Sequence, residues 1–62
     1  MIALIEGGSH CEPLFVMNVR GDIKEGDDLF HPLINEQYRV IEISIPDDES
    51  EYDVILNCEF IK

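Results

Sequence analysis

The sequence predicts a small all-β domain, and three observations support this prediction. Apolar and polar residues alternate with a period of two over several segments, which is typical of strands with one buried face. Glycine, proline and aspartate interrupt these segments as turn residues do. The chain has only 62 residues, which is too short for two domains. We therefore expect one domain over 1–62, mainly antiparallel, with five short strands.

The first strands are short and separated by glycine-containing turns. Residues 2–6 predict a strand that ends before Gly7, and residues 14–19 predict a second strand that is apolar at five of six positions. This density of apolar residues indicates either burial on both faces or a tightly curved sheet. A turn over 20–22 follows, and a further strand begins near Leu29.

The last two strands have the clearest patterns. Residues 38–45 and 52–61 flank a polar loop over 46–51, so we expect them to form an antiparallel hairpin. In the strand over 38–45, strict alternation places the side chains on two faces. One face has Arg39, Ile41, Ile43 and Ile45, and the other has Tyr38, Val40, Glu42 and Ser44. In the second strand, the apolar face comprises Tyr52, Val54, Leu56, Cys58 and Phe60.

Closure of the sheet into a small barrel fits five short strands with tight turns, because closure removes edges that invite aggregation. An SH3-like barrel or rolled sheet is the preferred architecture and an OB-like roll the alternative, with at most one short helical turn near 32–37 that starts at Pro32. The Ile23–Leu29 stretch, in which Gly26 is free to take a positive φ, resembles the Gly-Asp turns common in SH3-like and lipoyl-like β domains. This resemblance implies an architecture and no function.

The charge balance excludes several partners. Four Lys and Arg stand against fourteen Asp and Glu, which gives a formal net charge of −10. Direct binding to nucleic acid or to an anionic membrane is therefore not expected, because both depend on basic residues that neutralise phosphate. No apolar run approaches the roughly 20 residues of a membrane-spanning helix. The first residues lack the cationic start of a secretory signal, so we expect a cytoplasmic protein with reduced thiols.

The carboxylates predict a protein-binding surface. Residues 47–59 contain six acids and no Lys or Arg, and a second group surrounds Gly26. Carboxylates on a rigid β surface imitate nucleic-acid phosphates and attract the basic groove of a partner protein. Small acidic inhibitors from phages are similar to this chain in composition. The predicted binding residues are Asp47, Asp48, Glu49, Glu51, Asp53, Glu25, Asp27 and Asp28, with Phe30 and Tyr52 as apolar anchors.

Two other interpretations of the same residues stay open at this point. In the first, the acidic surface has no partner and only keeps a small domain soluble. The apolar residues over 14–19 and 29–34 exceed what one small core easily hides, which favours a structural subunit or a homo-oligomer that buries an apolar face.

The sequence predicts neither catalysis nor a cofactor. His10, Cys11, His31 and Cys58 lack the paired spacing of a zinc site, and the acids lack the spacing of an EF-hand calcium loop. No phosphate-binding glycine loop or nucleophile elbow is present. Cys58 lies on an apolar strand face and is interpreted as a small hydrophobic residue, while a disulfide with Cys11 is the alternative in an oxidising compartment.

Overall fold

The computed structural model describes residues 1–8, 10–31, 33 and 35–61. Five strands form one curled half-barrel sheet in the spatial order β2-β1-β5-β4-β3. The all-β prediction is confirmed, and the architecture is consistent with a small SH3-like barrel. The strands are β1 (Ile2–Gly7), β2 (Glu12–Asn18), β3 (Asp28–Phe30), β4 (Gln37–Ser44) and β5 (Val54–Ile61).

The strand pairing is mixed. The predicted hairpin is confirmed, because β4 and β5 are antiparallel, as are β1 with β2 and β3 with β4. The central pair differs from the expected antiparallel arrangement: β1 and β5 run parallel, with Ala3 opposite Val54 and Ile5 opposite Leu56. The first and last strands of the described chain therefore lie side by side in the middle of the sheet.

The hydrophobic core lies on the inner face of this curled sheet. Alternate residues of β1 and β5 point inwards, and Ala3, Ile5 and Leu56 are completely buried. Phe15 and Met17 of the edge strand β2 pack against this core, and Ile43 of β4 packs against it from the other side of the β1–β5 pair. The buried core residues are Ala3, Ile5, Val19, Leu29, Tyr38, Val40, Val54, Leu56 and Cys58. The prediction that Cys58 is a buried hydrophobic residue is confirmed.

A bulge in β4 changes which residues face the core. Val40 pairs with Cys58 and Glu42 pairs with Asn57, so Ile41 is an extra residue between two consecutive pairs. Tyr38 and Val40 point inwards as the alternation predicts, but after the bulge Ile43 is the residue that packs on the core. Placing Ile43 on the face opposite Val40 was therefore wrong, because one inserted residue reverses the alternation that follows it.

The edge strand β2 is less buried than its sequence suggests. Leu14 and Val16 are 48% and 47% exposed, whereas Phe15 and Met17 are half-buried against the core. Of the two alternatives for this segment, burial on both faces is therefore wrong, and a tightly curved sheet is the one that agrees with the structure. A second register shift lies between Ile5 and Glu6 of the partner strand, which pair with Phe15 and Pro13.

A linker over 19–27 joins the two edge strands and so crosses the open side of the half-barrel. Val19 is buried and Ile23 packs against the core. Gly26 has a φ of 91°, which confirms the predicted left-handed turn. Its N–H donates to the carbonyl of Val40 over 2.8 Å, and the N–H of Val40 donates to the carbonyl of Asp27 over 2.9 Å. These bonds fix the linker to the middle of β4.

The predicted helical turn over 32–37 includes Pro32 and Ile34, which lie outside the described residues. The neighbouring described residues at 31, 33 and 35–36 contain no helix. His31 is held by a backbone hydrogen bond from its N–H to the carbonyl of Glu36, over 3.0 Å.

Candidate protein-interaction surface

The acidic loop, residues 46–53, connects β4 to β5 at the end of the sheet where β1 begins. Asp47, Asp48, Glu49 and Glu51 are all exposed. The backbone of the loop is held locally, because the N–H of Ser50 donates to the carbonyl of Asp47 over 2.9 Å. The hydroxyl oxygen of Ser50 accepts a hydrogen bond from the backbone N–H of Tyr52 over 3.1 Å. The loop therefore presents its carboxylates from a short, hydrogen-bonded turn.

Asp53 has a different role from the other acids of this loop. Its carboxylate accepts the backbone N–H of Ile2 over 2.8 Å, and its own N–H donates to the carbonyl of Ile2 over 2.8 Å. These two bonds continue the contact between β1 and β5 beyond the start of β5. Asp53 therefore supports the sheet, and its charge is partly used by that hydrogen bond.

The acidic loop has no cationic partner within the described residues. The two ion pairs found there join Arg20 to Asp22 at 2.9 Å and Arg39 to Asp28 at 3.3 Å. Both basic residues are thus engaged by carboxylates of other segments. The exposed charges of the loop face solvent, where water and dissolved salt screen them.

The second predicted acidic group is more tightly tied to the protein. Asp27 is half-buried, and its carboxylate accepts the backbone N–H of Lys24 over 3.1 Å. Asp28 accepts hydrogen bonds from Arg39, and from the side-chain amide of Gln37 over 3.0 Å. Glu25 and Asp28 are exposed and Asp27 is half-buried, and among the described residues Glu25 alone of the three has no side-chain hydrogen bond.

The structure keeps these two acidic groups apart. The Gly26 turn is bonded to Val40 in the middle of β4, whereas the acidic loop begins beyond the last residue of β4, Ser44. The two groups are therefore attached to the sheet at different positions along β4.

The two predicted anchors are also separated. Tyr52 lies within the acidic loop and is half-buried. Partial burial raises the pKa of its hydroxyl, and the neighbouring carboxylate of Glu51 raises it further. Phe30 is 57% exposed at the end of β3 and pairs with Gln37, the first residue of β4. Tyr52 is therefore part of the acidic loop, and Phe30 is at the far end of its strand from the Gly26 turn.

A cavity of about 380 Å³ is a feature that the sequence did not indicate. It lies between the linker, the end of β2 and the start of β3. Its apolar wall is formed by Met17, Val19, Ile23 and Leu29, and charged residues of the linker stand around it. Only the turn chemistry of Gly26 hinted that this segment folds back on the sheet.

The cysteines and aromatic residues lie elsewhere. Cys58 is buried, and this burial raises the pKa of its thiol to about 11. Cys11 is exposed with a φ of 52°, and its sulfur accepts a hydrogen bond from the Asn57 amide over 3.1 Å. Tyr38 packs between Phe15 and Phe60 with ring centroids 5.4 and 5.6 Å away, and so completes the core. Over residues 1–8, 10–31, 33 and 35–61, no group of three His, Cys, Asp or Glu is placed to hold a metal ion.

No family model, curated protein or solved structure matches this chain. In the part of the chain that the structure describes, no helix is long and apolar enough to cross a membrane.

Proposed function

We propose that this chain is a non-enzymatic interaction module of the cytoplasm that binds a basic surface of another protein. The observation that carries this proposal is the acidic loop. Asp47, Asp48, Glu49 and Glu51 are exposed, and within the described residues none of them forms an ion pair. Their combined field is therefore available to a partner.

A partner that normally binds nucleic acid fits this surface best. The loop carries closely spaced negative charges on a backbone that is held by local hydrogen bonds, as a nucleic-acid strand carries phosphates. Such charges raise the rate of encounter with a basic groove and exclude negatively charged competitors. Tyr52, which is half-buried within the loop, supplies an aromatic ring that a partner is able to desolvate. The biological role would be that of a small phage-type inhibitor, which occupies the groove in place of nucleic acid.

Affinity capture from a nuclease-treated bacterial lysate tests the proposal. We expect the wild-type chain to retain a nucleic-acid-binding protein at low salt and to release it at high salt, because exposed charges are screened. The double variant D47K/D48K should reduce the captured amount about tenfold or more, since like charges across an interface are strongly unfavourable. Bound proteins are identified by mass spectrometry.

The matched control is E12K/E59K, which changes the net charge equally at the opposite end of the sheet. Glu12 and Glu59 are both exposed, at the start of β2 and near the end of β5. This variant should still capture the partner. Thermal unfolding of both variants checks that they remain folded. Equal losses in the two variants would mean that net charge alone, and not the loop, attracts the partner.

One observation favours a structural subunit or homo-oligomer as a second candidate. Val16, Leu4 and Ile55 lie side by side on the outer face of three adjacent strands, and Val16 is 47% exposed. Burial of this row against another chain would be driven by the hydrophobic effect and would resist salt. Capture of a partner that high salt does not release, or recovery of this chain alone, would therefore replace the first proposal by this one.

A further inference from the structure

The cavity under the linker combines an apolar wall with a negative rim. Val19 and Leu29 are buried members of the core, and Ile23 and Met17 pack against that core, so one side of the cavity consists of aliphatic side chains. Its volume of about 380 Å³ is at the lower end of the range of small-ligand sites, which begins near 300 Å³. An occupant of this size is one long side chain with its adjoining backbone.

The charged residues around the cavity determine the sign of that occupant. One arginine and three aspartates line it. Arg20 is engaged by Asp22 through two hydrogen bonds of 3.1 and 2.9 Å, so the positive charge of Arg20 is already matched. Asp28 is matched in the same way by Arg39 at 3.3 Å, so Asp27 is the lining carboxylate that has no ion pair among the described residues, and it leaves the rim negative.

Asp27 is the residue best placed to bind a cation there. It is half-buried, so solvent screens its charge less than that of the exposed acids. Its Oδ2 accepts the backbone N–H of Lys24, which fixes the orientation of the carboxylate. Within the described residues no hydrogen bond reaches its Oδ1, which remains able to accept a charge-assisted bond.

We propose that this cavity takes a long basic side chain, arginine or lysine, from the partner protein. The inference rests on the proposed function and adds a specific site to it. The methylene groups of such a side chain would lie on Val19, Ile23 and Leu29 while its charged end reaches Asp27. General attraction by the acidic loop would bring the partner close, and this cavity would select one residue of it.

Titration of the isotope-labelled full chain by NMR tests this site directly. The probe is an acetylated and amidated five-residue peptide with one central arginine between glycines and serines, compared with matched peptides that carry lysine or uncharged citrulline. We expect saturable shifts of the methyl signals of Val19, Ile23 and Leu29 with the two basic peptides and none with citrulline.

Two variants locate the binding energy. D27N keeps the acceptor for Lys24 but removes the charge, and it should weaken peptide binding about tenfold, which corresponds to the loss of one charge-assisted hydrogen bond. D48N makes the same change of charge in the acidic loop and should change the affinity less than twofold. Asn18 is exposed on the lining, so N18W should close the mouth and abolish the methyl shifts without lowering the melting temperature.

The results separate this site from the proposed function. Shifts spread over the acidic loop, equal effects of D27N and D48N, or equal binding of the citrulline peptide would each overturn the cavity site. Capture of the lysate partner by N18W at the wild-type level would also overturn it, while leaving the interaction module intact. Loss of capture by N18W, together with the expected methyl shifts in the wild-type chain, would support both the cavity site and the interaction module.

Discussion

The two acidic segments contain similar numbers of carboxylates, four over 19–28 and five over 46–53, but these carboxylates have different structural roles. In the linker and its junction with β3, Asp22, Asp27 and Asp28 each accept hydrogen bonds from side chains or backbone within the protein. In the acidic loop, Asp53 alone of the acids accepts such a bond from the described part of the chain, and the others face solvent. A count of carboxylates does not distinguish these cases. The hydrogen-bond partners show that the linker uses its carboxylates for folding, whereas the acidic loop leaves most of them available.

The largest expected effect comes from backbone conformation in the linker. G26A should lower the free energy of unfolding by about 1–2 kcal/mol, because a Cβ disfavours the φ of 91° at this position. Apart from its chain neighbours, no atom of the described residues lies within 4 Å of the added Cβ, so the cost is conformational rather than steric. Urea unfolding measures the change.

G21A is the matched control in the same linker. Gly21 does not have a positive φ, and its added Cβ also meets open space. This variant should be neutral or stabilising by about 0.5 kcal/mol, since alanine reduces the freedom of the unfolded chain. Equal destabilisation by the two variants would show that the linker does not depend on the left-handed turn.

A smaller effect distinguishes two carboxylates of the acidic loop. D53A should destabilise the protein by about 1 kcal/mol, because it removes the acceptor for the N–H of Ile2 at an exposed site. D48A should stay within about 0.5 kcal/mol of the wild type, as is usual for surface substitutions. If thermal unfolding gives both variants the same stability, the hydrogen bond from Ile2 contributes nothing measurable.

The smallest expected effect is a local titration in the linker. Hydrogen bonding to Arg20, and the charge of that residue, lower the pKa of the Asp22 carboxyl. Because the pKa is lowered in the folded protein, the interaction stabilises the fold at pH values above the ordinary pKa of aspartate. This stabilisation is lost as the pH falls through the lowered pKa. Carboxyl carbon NMR should show this titration, and R20Q should return it towards the ordinary range. An unchanged titration in R20Q would assign the shift to another cause.

Local patterns were sufficient to predict much of the fold. Period-two alternation located the strands, the polar loop between two such runs predicted the β4–β5 hairpin, and the Gly-Asp pair predicted the positive φ of Gly26. These features depend on residues that are close in the chain, and the physical preferences of those residues act locally.

The features that were not predicted depend on residues far apart in the chain. The parallel pairing of β1 with β5 joins segments about fifty positions apart, and no local pattern encodes it. The bulge at Ile41 is visible only against the partner strand, and it moves Ile43 to the core. The cavity arises because the linker crosses the open side of the sheet, and the same contact buries Val19.

The parallel β1–β5 pair has a consequence for how the chain reaches its folded state. Of the five strands, β1 is the first to leave the ribosome during synthesis and β5 is the last. Before β5 has emerged, β1 pairs only with β2, and an isolated two-stranded hairpin is marginal in water. Long-range pairing of this kind also slows the conformational search relative to a local hairpin. Cooperative folding therefore begins only after translation has passed β5, and the nascent chain exposes its apolar strands until then.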